Sequence, residues 1–368
     1  MLYFSQLDSL RFLAFMLVFW SHTVGQLAEN LIETPYFNMY LPISRTGEYG
    51  VHIFFVISGF LITYLLISEH NQAGKINIKN FYLRRILRIW PVYYLAMILG
   101  IFVLPNLLSS FHFCGSYWMN LTFLNNFNAL QNNTCFSPNI TVSWSVAIEE
   151  QFYLFWPLAF SLLYGKKGFI WFCFLLYIVS SIHILMYPYS YFHLMDGNNY
   201  LNTMDNINYL MIGCLGAYLF QRNRAFFDRP FFKTSLAYYG MILISVCTLI
   251  GGTNSDYLYP MSILLAPFLF LYFVLYAVIN SEPKGSTLFS RLGKYTYGMY
   301  FYHFILIVFI KILYEKLGFD YRQNDLHQWS MALISLVLTI VVSFLSYRYF
   351  EGPFLRLKSK FTLVKTRN

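Results

Sequence analysis

Charge is scarce in this sequence: Asp, Glu, Lys and Arg make up 11% of its 368 residues, against roughly a quarter in soluble domains. A water-facing surface over most of the chain is thereby excluded. The charges that remain leave a net +9, but nucleic-acid binding requires a soluble basic face with groove-reading elements, and none is present. Internal repeats and low-complexity linkers are also absent. The first apolar run lacks a basic leader and an Ala-x-Ala-like exit, so no cleavable signal peptide is expected and the run should stay as an anchor. Of five cysteines, Cys173, Cys214 and Cys247 fall within apolar runs and read as packing residues. Cys114 and Cys135 share the connection 105–143, where an oxidising compartment would permit a disulfide. The sequons at Asn120, Asn132 and Asn139 arise in an Asn-rich stretch and carry no weight.

What the chain does have is apolar length. Hydrophobic residues make up 58%, with 39 Phe and 32 Tyr, side chains suited to lipid and to the headgroup region respectively. Runs near the roughly 18 to 20 residues needed to cross a hydrocarbon core recur throughout. They predict an all-α, polytopic membrane protein with about ten transmembrane helices, at 7–27, 50–68, 86–104, 146–163, 169–186, 205–221, 236–252, 259–280, 292–314 and 329–350. Connections after even-numbered spans, and the end of the chain, carry net charges of +2 to +5, whereas those after odd-numbered spans carry −2 to 0. The positive-inside rule then places both termini in the cytoplasm. Residues 1–355 read as one transmembrane domain and 356–368 as a solvated, lipid-facing basic tail.

Ionisable side chains inside such spans are costly unless paired or facing a cavity, so each is a candidate for function. Arg11 and His22 lie eleven residues apart, which puts them about 20° apart around the helix and about 16 Å apart along it. Both project from one face, with Arg11 near the cytoplasmic boundary and His22 deeper, towards the outer leaflet. Taken singly, snorkelling accounts for the Arg and packing for the His. Arg85 and Arg88 share a face at the start of the third span, where phosphate oxygens could accept charge-assisted hydrogen bonds; a positive-inside anchor is the plainer reading. Glu149 and Glu150 fall one turn into the fourth span, on the same half of the membrane as His22. A histidine beside a carboxylate could deprotonate a hydroxyl, whereas helix capping explains one Glu but less readily two. Ser58 and Gly59 in the second span suit close helix packing more than nucleophilic chemistry, and His303 is a further mid-span histidine.

In this order, the segments resemble the acyltransferase-3 family of integral membrane O-acyltransferases over nearly the whole chain. Arg11-x10-His22 is similar to its first-helix motif, Gly50 to Thr63 to its Gly-Val-Asp-x-Phe-Phe-Val-x-Ser-Gly-Phe-Leu-Ile segment, and Arg85-x-x-Arg88 to its Arg-x-x-Arg. Trp144 to Tyr153 resembles its Trp-Ser-Leu-x-x-Glu-x-Gln-Phe-Tyr stretch, and Tyr297 to His303 and Glu351 to Pro353 match weaker features. One departure is His52, where the family more often has Asp.

The resemblance implies acyl transfer, with acetyl as the expected group, from cytoplasmic acetyl-CoA or a related acyl-CoA to a carbohydrate hydroxyl. His22 would be the catalytic base, and Arg11, Arg85 and Arg88 would serve the donor; Glu149 is the second catalytic candidate, with the choice between Glu149 and Glu150 as the partner of His22 left open by the sequence. Ser58, Trp144, Glu150 and His303 are supporting candidates. No metal and no permanently bound cofactor are expected. The expected partners are acyl-CoA, a carbohydrate or lipid-linked glycan acceptor, and membrane lipid, in a multi-pass protein of a bacterial inner membrane. Some relatives carry an additional soluble esterase-like domain; with this sequence ending soon after the tenth span, the acceptor is expected to be met by the membrane domain. The competing reading is a transporter or glycan-export partner whose polar residues line a translocation path, for which Gly/Pro-broken spans in matching halves would be the sign. No such pair is evident.

Overall fold

A computed structural model describes residues 4–30, 46–107, 113, 115–127, 142–166, 168–186, 201–254, 259–281, 287–319 and 325–363. Every regular element among the described residues is helical. The long helices are α1 (Ser5–Asn30), α2 (Thr46–Ala73), α3 (Ile78–Ile98), α4 (Ser143–Leu163), α5 (Gly168–Met186), α6 (Ile207–Arg222), α7 (Ser235–Asn254), α8 (Tyr259–Ile279), α9 (Thr296–Lys316) and α10 (Asp325–Leu345). A π-helical turn, Ser346–Glu351, joins α10 to a last helix, α11 (Gly352–Ser359).

A helix therefore lies on each of the ten expected spans. Six of the segments are long and apolar enough to cross a membrane, among the described residues: those of α2, α3, α5, α8, α9 and α10 with their extensions. The other four differ for visible reasons. Asp8 and Arg11 sit in α1, and Glu149 and Glu150 in α4; α6 has only 16 residues, and α7 is apolar over the shorter stretch Ser235–Gly251. Large apolar side chains face outward on the peripheral helices, as with Trp171 on α5, Leu243 on α7 and Leu333 on α10. Such surfaces suit hydrocarbon, and the fold is that of a multi-pass membrane protein.

At the centre is α2, packed most extensively against α6 and α1. Small residues permit this. A Cβ added to Gly59 would stand 2.1 Å from the carbonyl oxygen of Leu210, and one on Gly213 would stand 2.3 Å from that of Val56. The two helices thus meet backbone to backbone, as apolar bundles without hydrophobic drive must. The sequence-based role of Gly59 in packing holds. The short helix Leu288–Gly293 closes on α1 in the same way, a Gly293 Cβ falling 1.9 Å from the Asp8 carbonyl oxygen.

The chain's end is pinned to the entrance of α3. Arg84 pairs through Nη2 with Glu69 at 2.7 Å and donates from Nη1 to the Phe361 carbonyl at 2.9 Å, while the other Glu69 oxygen accepts from the Asn77 backbone. Both ends of this buried ion pair are hydrogen-bonded. Contrary to the expected solvated tail, its first described residues belong to the helix Gly352–Ser359 packed against α3, and Lys358 is only 8% exposed. Residues 364–368 lie outside the described residues, as do Cys114, Cys135, Asn132 and Asn139.

The α2–α6 contact yields a direct test. Gly59→Leu should force the helices apart and lower stability by about 3 kcal/mol, the upper range for overpacking. Gly240→Ala, with no neighbouring atom within 4 Å of the added carbon, should not lower the melting temperature in detergent.

Candidate active site

Helices α1 to α4, α9 and α11 enclose a cavity of about 270 Å³. On α2 its lining runs from Val51 to Leu65, a rise of about 21 Å along the helix axis. The walls are apolar or aromatic except for Ser58, Ser145, Thr296 and a cluster of charge. Arg11, Arg85, Arg88, Lys294 and Lys358 line it together with Asp8, Glu149 and Glu351. All three arginines expected to serve the donor therefore meet in one chamber.

Each reaches it for a local reason. Asp8 and Arg11 are i and i+3 on α1 and form a 2.6 Å ion pair. Of the run Arg84, Arg85 and Arg88, the first points away to Glu69, leaving the i, i+3 pair towards the cavity. The Arg85 guanidinium lies 5.7 Å from the ring centroids of Phe81 and Tyr153, where aromatic faces favour a cation. Arg88 makes no hydrogen bond or ion pair among the described residues.

Glu149 belongs to this chamber. Ser58 Oγ donates to its Oε1 at 2.5 Å and Tyr153 OH to its Oε2 at 3.2 Å. Both oxygens are thus occupied within the arginine-lined space, and the expected His22–Glu149 pairing is not formed. Ser58, read from sequence as packing, instead faces the cavity and holds Glu149. Glu150 turns aside; its Oε2 accepts from Trp90 Nε1 at 3.0 Å. Trp144 is buried with its ring against Phe55, and His52 stacks on Tyr209 with ring centroids 4.0 Å apart. None of Glu150, Trp144 or His52 lines the cavity.

His22 lies beyond the cavity's far end. Its neighbour Ser21 abuts Gly47 at the start of α2, about one turn before Val51. Its partner is His303, with His22 Nδ1 and His303 Nε2 2.9 Å apart. The remaining His303 nitrogen, Nδ1, is 3.1 Å from the Met299 carbonyl oxygen. A carbonyl only accepts, so Nδ1 of His303 carries its proton, and a neutral His303 must accept at Nε2. The proton between the rings therefore belongs to His22 Nδ1. This leaves the Nε2 lone pair of His22 available as a base.

Tyr300 joins the two regions. It lines the cavity, its hydroxyl lies 2.6 Å from Ser145 Oγ, and its ring is 5.9 Å from that of His303. Three residues separate Tyr300 from His303, so α9 presents first the cavity wall and then, about 4.5 Å farther along, the support of His22. The cavity also holds residues that sequence reasoning did not select: Asp8, Tyr300, Lys294, Tyr347, Glu351 and Lys358. The i, i+3 spacing of Asp8 with Arg11 was a usable signal for the first. For Lys294 and Lys358 there was none, because basic residues near span ends look alike.

A provisionally named O-acetyltransferase, SACOL0978 of Staphylococcus aureus (strain COL), is 29% identical over 335 residues, covering 84% of this chain and 52% of its own length. O-acetyltransferase OatA of Staphylococcus aureus (strain NCTC 8325 / PS 47) is 26% identical over 336 residues, covering 83% and 52%. The chain spans about half the length of these curated relatives. No solved structure matches. The family model described as an acyltransferase domain matches residues 4–348, from the start of α1 into the turn after α10, and the chain belongs to that acyltransferase-3 family.

Proposed function

We propose that the protein transfers an acyl group, acetyl in the simplest case, from cytoplasmic acyl-CoA to a hydroxyl of a surface or secreted carbohydrate. The observation that carries this reading is the sequence of features along one path: a chamber with arginines from two helices, then Tyr300, then a histidine pair that leaves His22 Nε2 unprotonated. Ten membrane crossings with both termini in the cytoplasm are part of the same proposal, supported by the positive connections that follow each even-numbered helix. In that orientation the chamber opens towards the compartment that holds CoA, and His22 lies nearer the outer face.

The chemistry follows from the proton positions. His22 Nε2 takes the proton of the acceptor hydroxyl as its oxygen attacks the thioester carbonyl; the C–S bond then breaks, and the departing sulfur recovers the proton. During attack His22 becomes cationic, and its Nδ1–H remains bonded to His303 Nε2, which fixes the ring. Arg11, Arg85 and Arg88 bind the donor's phosphates. Glu149, held by Ser58 and Tyr153, offsets part of their charge when the chamber is empty. His22 and Glu149 thus act in separate compartments of one path.

Purified protein given radiolabelled acetyl-CoA and the host's surface glycan should transfer label. His22→Ala should lower kcat by about 10³, within the range for a general base, and undiminished transfer would remove His22 from the reaction. His303→Ala should lower kcat by about 10² with KM for acetyl-CoA unchanged, and His303→Gln, which restores an acceptor, should recover part of it. Among the arginines, Arg88→Met should raise KM for acetyl-CoA about tenfold at constant melting temperature. Arg84→Met should act chiefly on stability, destabilising by about 3 kcal/mol through the unpaired Glu69 it leaves.

A further inference from the structure

Lys358 is the residue of the cavity that nothing so far explains. It lies beyond residue 348, where the family match ends, in a stretch that sequence reads as a solvated tail. Among the described residues of this stretch three are basic, Arg356, Lys358 and Lys360, and two of them are exposed. Lys358 alone is buried, at 8% exposure. Glu351, Leu355 and Lys358 occupy positions i, i+4 and i+7, one helical face, and all three line the cavity.

A buried ammonium costs several kcal/mol unless an anion meets it. Among the described residues its Nζ has no ion pair or hydrogen bond, and the charges that act on it most strongly are Arg88, Arg85, Arg84 and Arg11, all of its own sign. Arg84 is taken by Glu69, Arg11 by Asp8, and Arg85 rests on two aromatic rings. Lys358 and Arg88 are left facing the chamber without a counter-charge in contact. With every group ionised, the lining has five cations and three carboxylates, an excess of two positive charges. A phosphate monoester carries about −1.5 to −2 at neutral pH and matches that excess in one group.

We propose that Lys358, together with Arg88, receives the 3′-phosphomonoester of the coenzyme A donor, so that α11 is a wall of the donor site and sets its preference for the 3′-phosphorylated form. The proposal rests on the donor being an acyl-CoA. Arg88 supplies a planar donor fork and Lys358 a compact point charge from the opposite element. The pinning of Phe361 to Arg84 holds α11 against α3 and so fixes the distance between the two cations.

Binding to the full-length protein in detergent tests this without turnover, using coenzyme A and 3′-dephospho-coenzyme A as probes. The wild type should bind coenzyme A about tenfold more tightly than the dephospho form. Lys358→Met should abolish that difference by weakening coenzyme A alone, Lys358→Arg should keep it, and Lys360→Met, which removes an exposed charge from the same segment, should leave both affinities unchanged. If the methionine variant aggregates, Lys358→Gln serves the same comparison. Equal loss for both probes, no loss for either, or no wild-type preference would overturn the assignment. A wild type that binds coenzyme A with this preference yet transfers no label would refute acyl transfer and leave the site standing; normal transfer with a Lys358→Met variant that still discriminates would do the opposite.

Discussion

Charge held inside an apolar bundle is the constraint on which the rest of this structure depends. Several guanidinium and ammonium groups within helices that face hydrocarbon would be prohibitively costly if each were desolvated alone. The fold answers residue by residue. Arg84 is fully paired with Glu69 and a backbone carbonyl, Arg11 is paired with Asp8, and Arg85 lies against Phe81 and Tyr153. What cannot be satisfied internally is gathered around a single cavity, where a ligand can supply the missing charge.

Close helix contact makes that gathering possible. The cavity exists between α1, α2, α3, α4 and α9 because α2 is drawn so tightly to α6 on its other side, through Gly59 and Gly213. A side chain at either glycine would move the Ser58–Glu149 contact, which is one residue from Gly59. Packing and site are thus neighbours on the same helix: Gly59 faces a backbone, and Ser58 faces the chamber.

The helical segments were legible in the sequence from apolar length and the shared face of Arg85 and Arg88 from periodicity within one helix, whereas a common role for these two and Arg11 was implied only by the resemblance to the family. Contacts between helices were not legible. The face shared by Arg11 and His22 was read from an angle of 100° per residue, but nothing local says that α9 rather than α4 lies beside His22. His303, at a separation of 281 residues, therefore replaced Glu149 as its partner. The place of Glu149 was not legible for a related reason: nothing local says that the first turns of α4 lie beside Ser58 and the arginine-lined cavity. Lys358 was invisible because a basic residue past the last apolar run ordinarily faces water, and only its helix, anchored through Phe361, turns it inward.

Separating His22 from Glu149 changes how the proposed chemistry is divided. In a histidine–carboxylate pair the carboxylate orients the ring and stabilises its cationic form. Here the orienting group is a neutral imidazole, which fixes the tautomer by accepting the Nδ1 proton but brings no negative charge to the imidazolium. The driving force must then come from elsewhere along the reaction. The thiolate leaving group supplies it, since a thioester releases a weaker base than an alkoxide, and a histidine needs to hold the proton only until sulfur departs. A carboxylate beside His22 would hold that proton more firmly and delay its return. A neutral partner suits a base that must take and give back one proton in a single transfer, and it leaves Glu149 to the chamber, where a negative charge among arginines is of use.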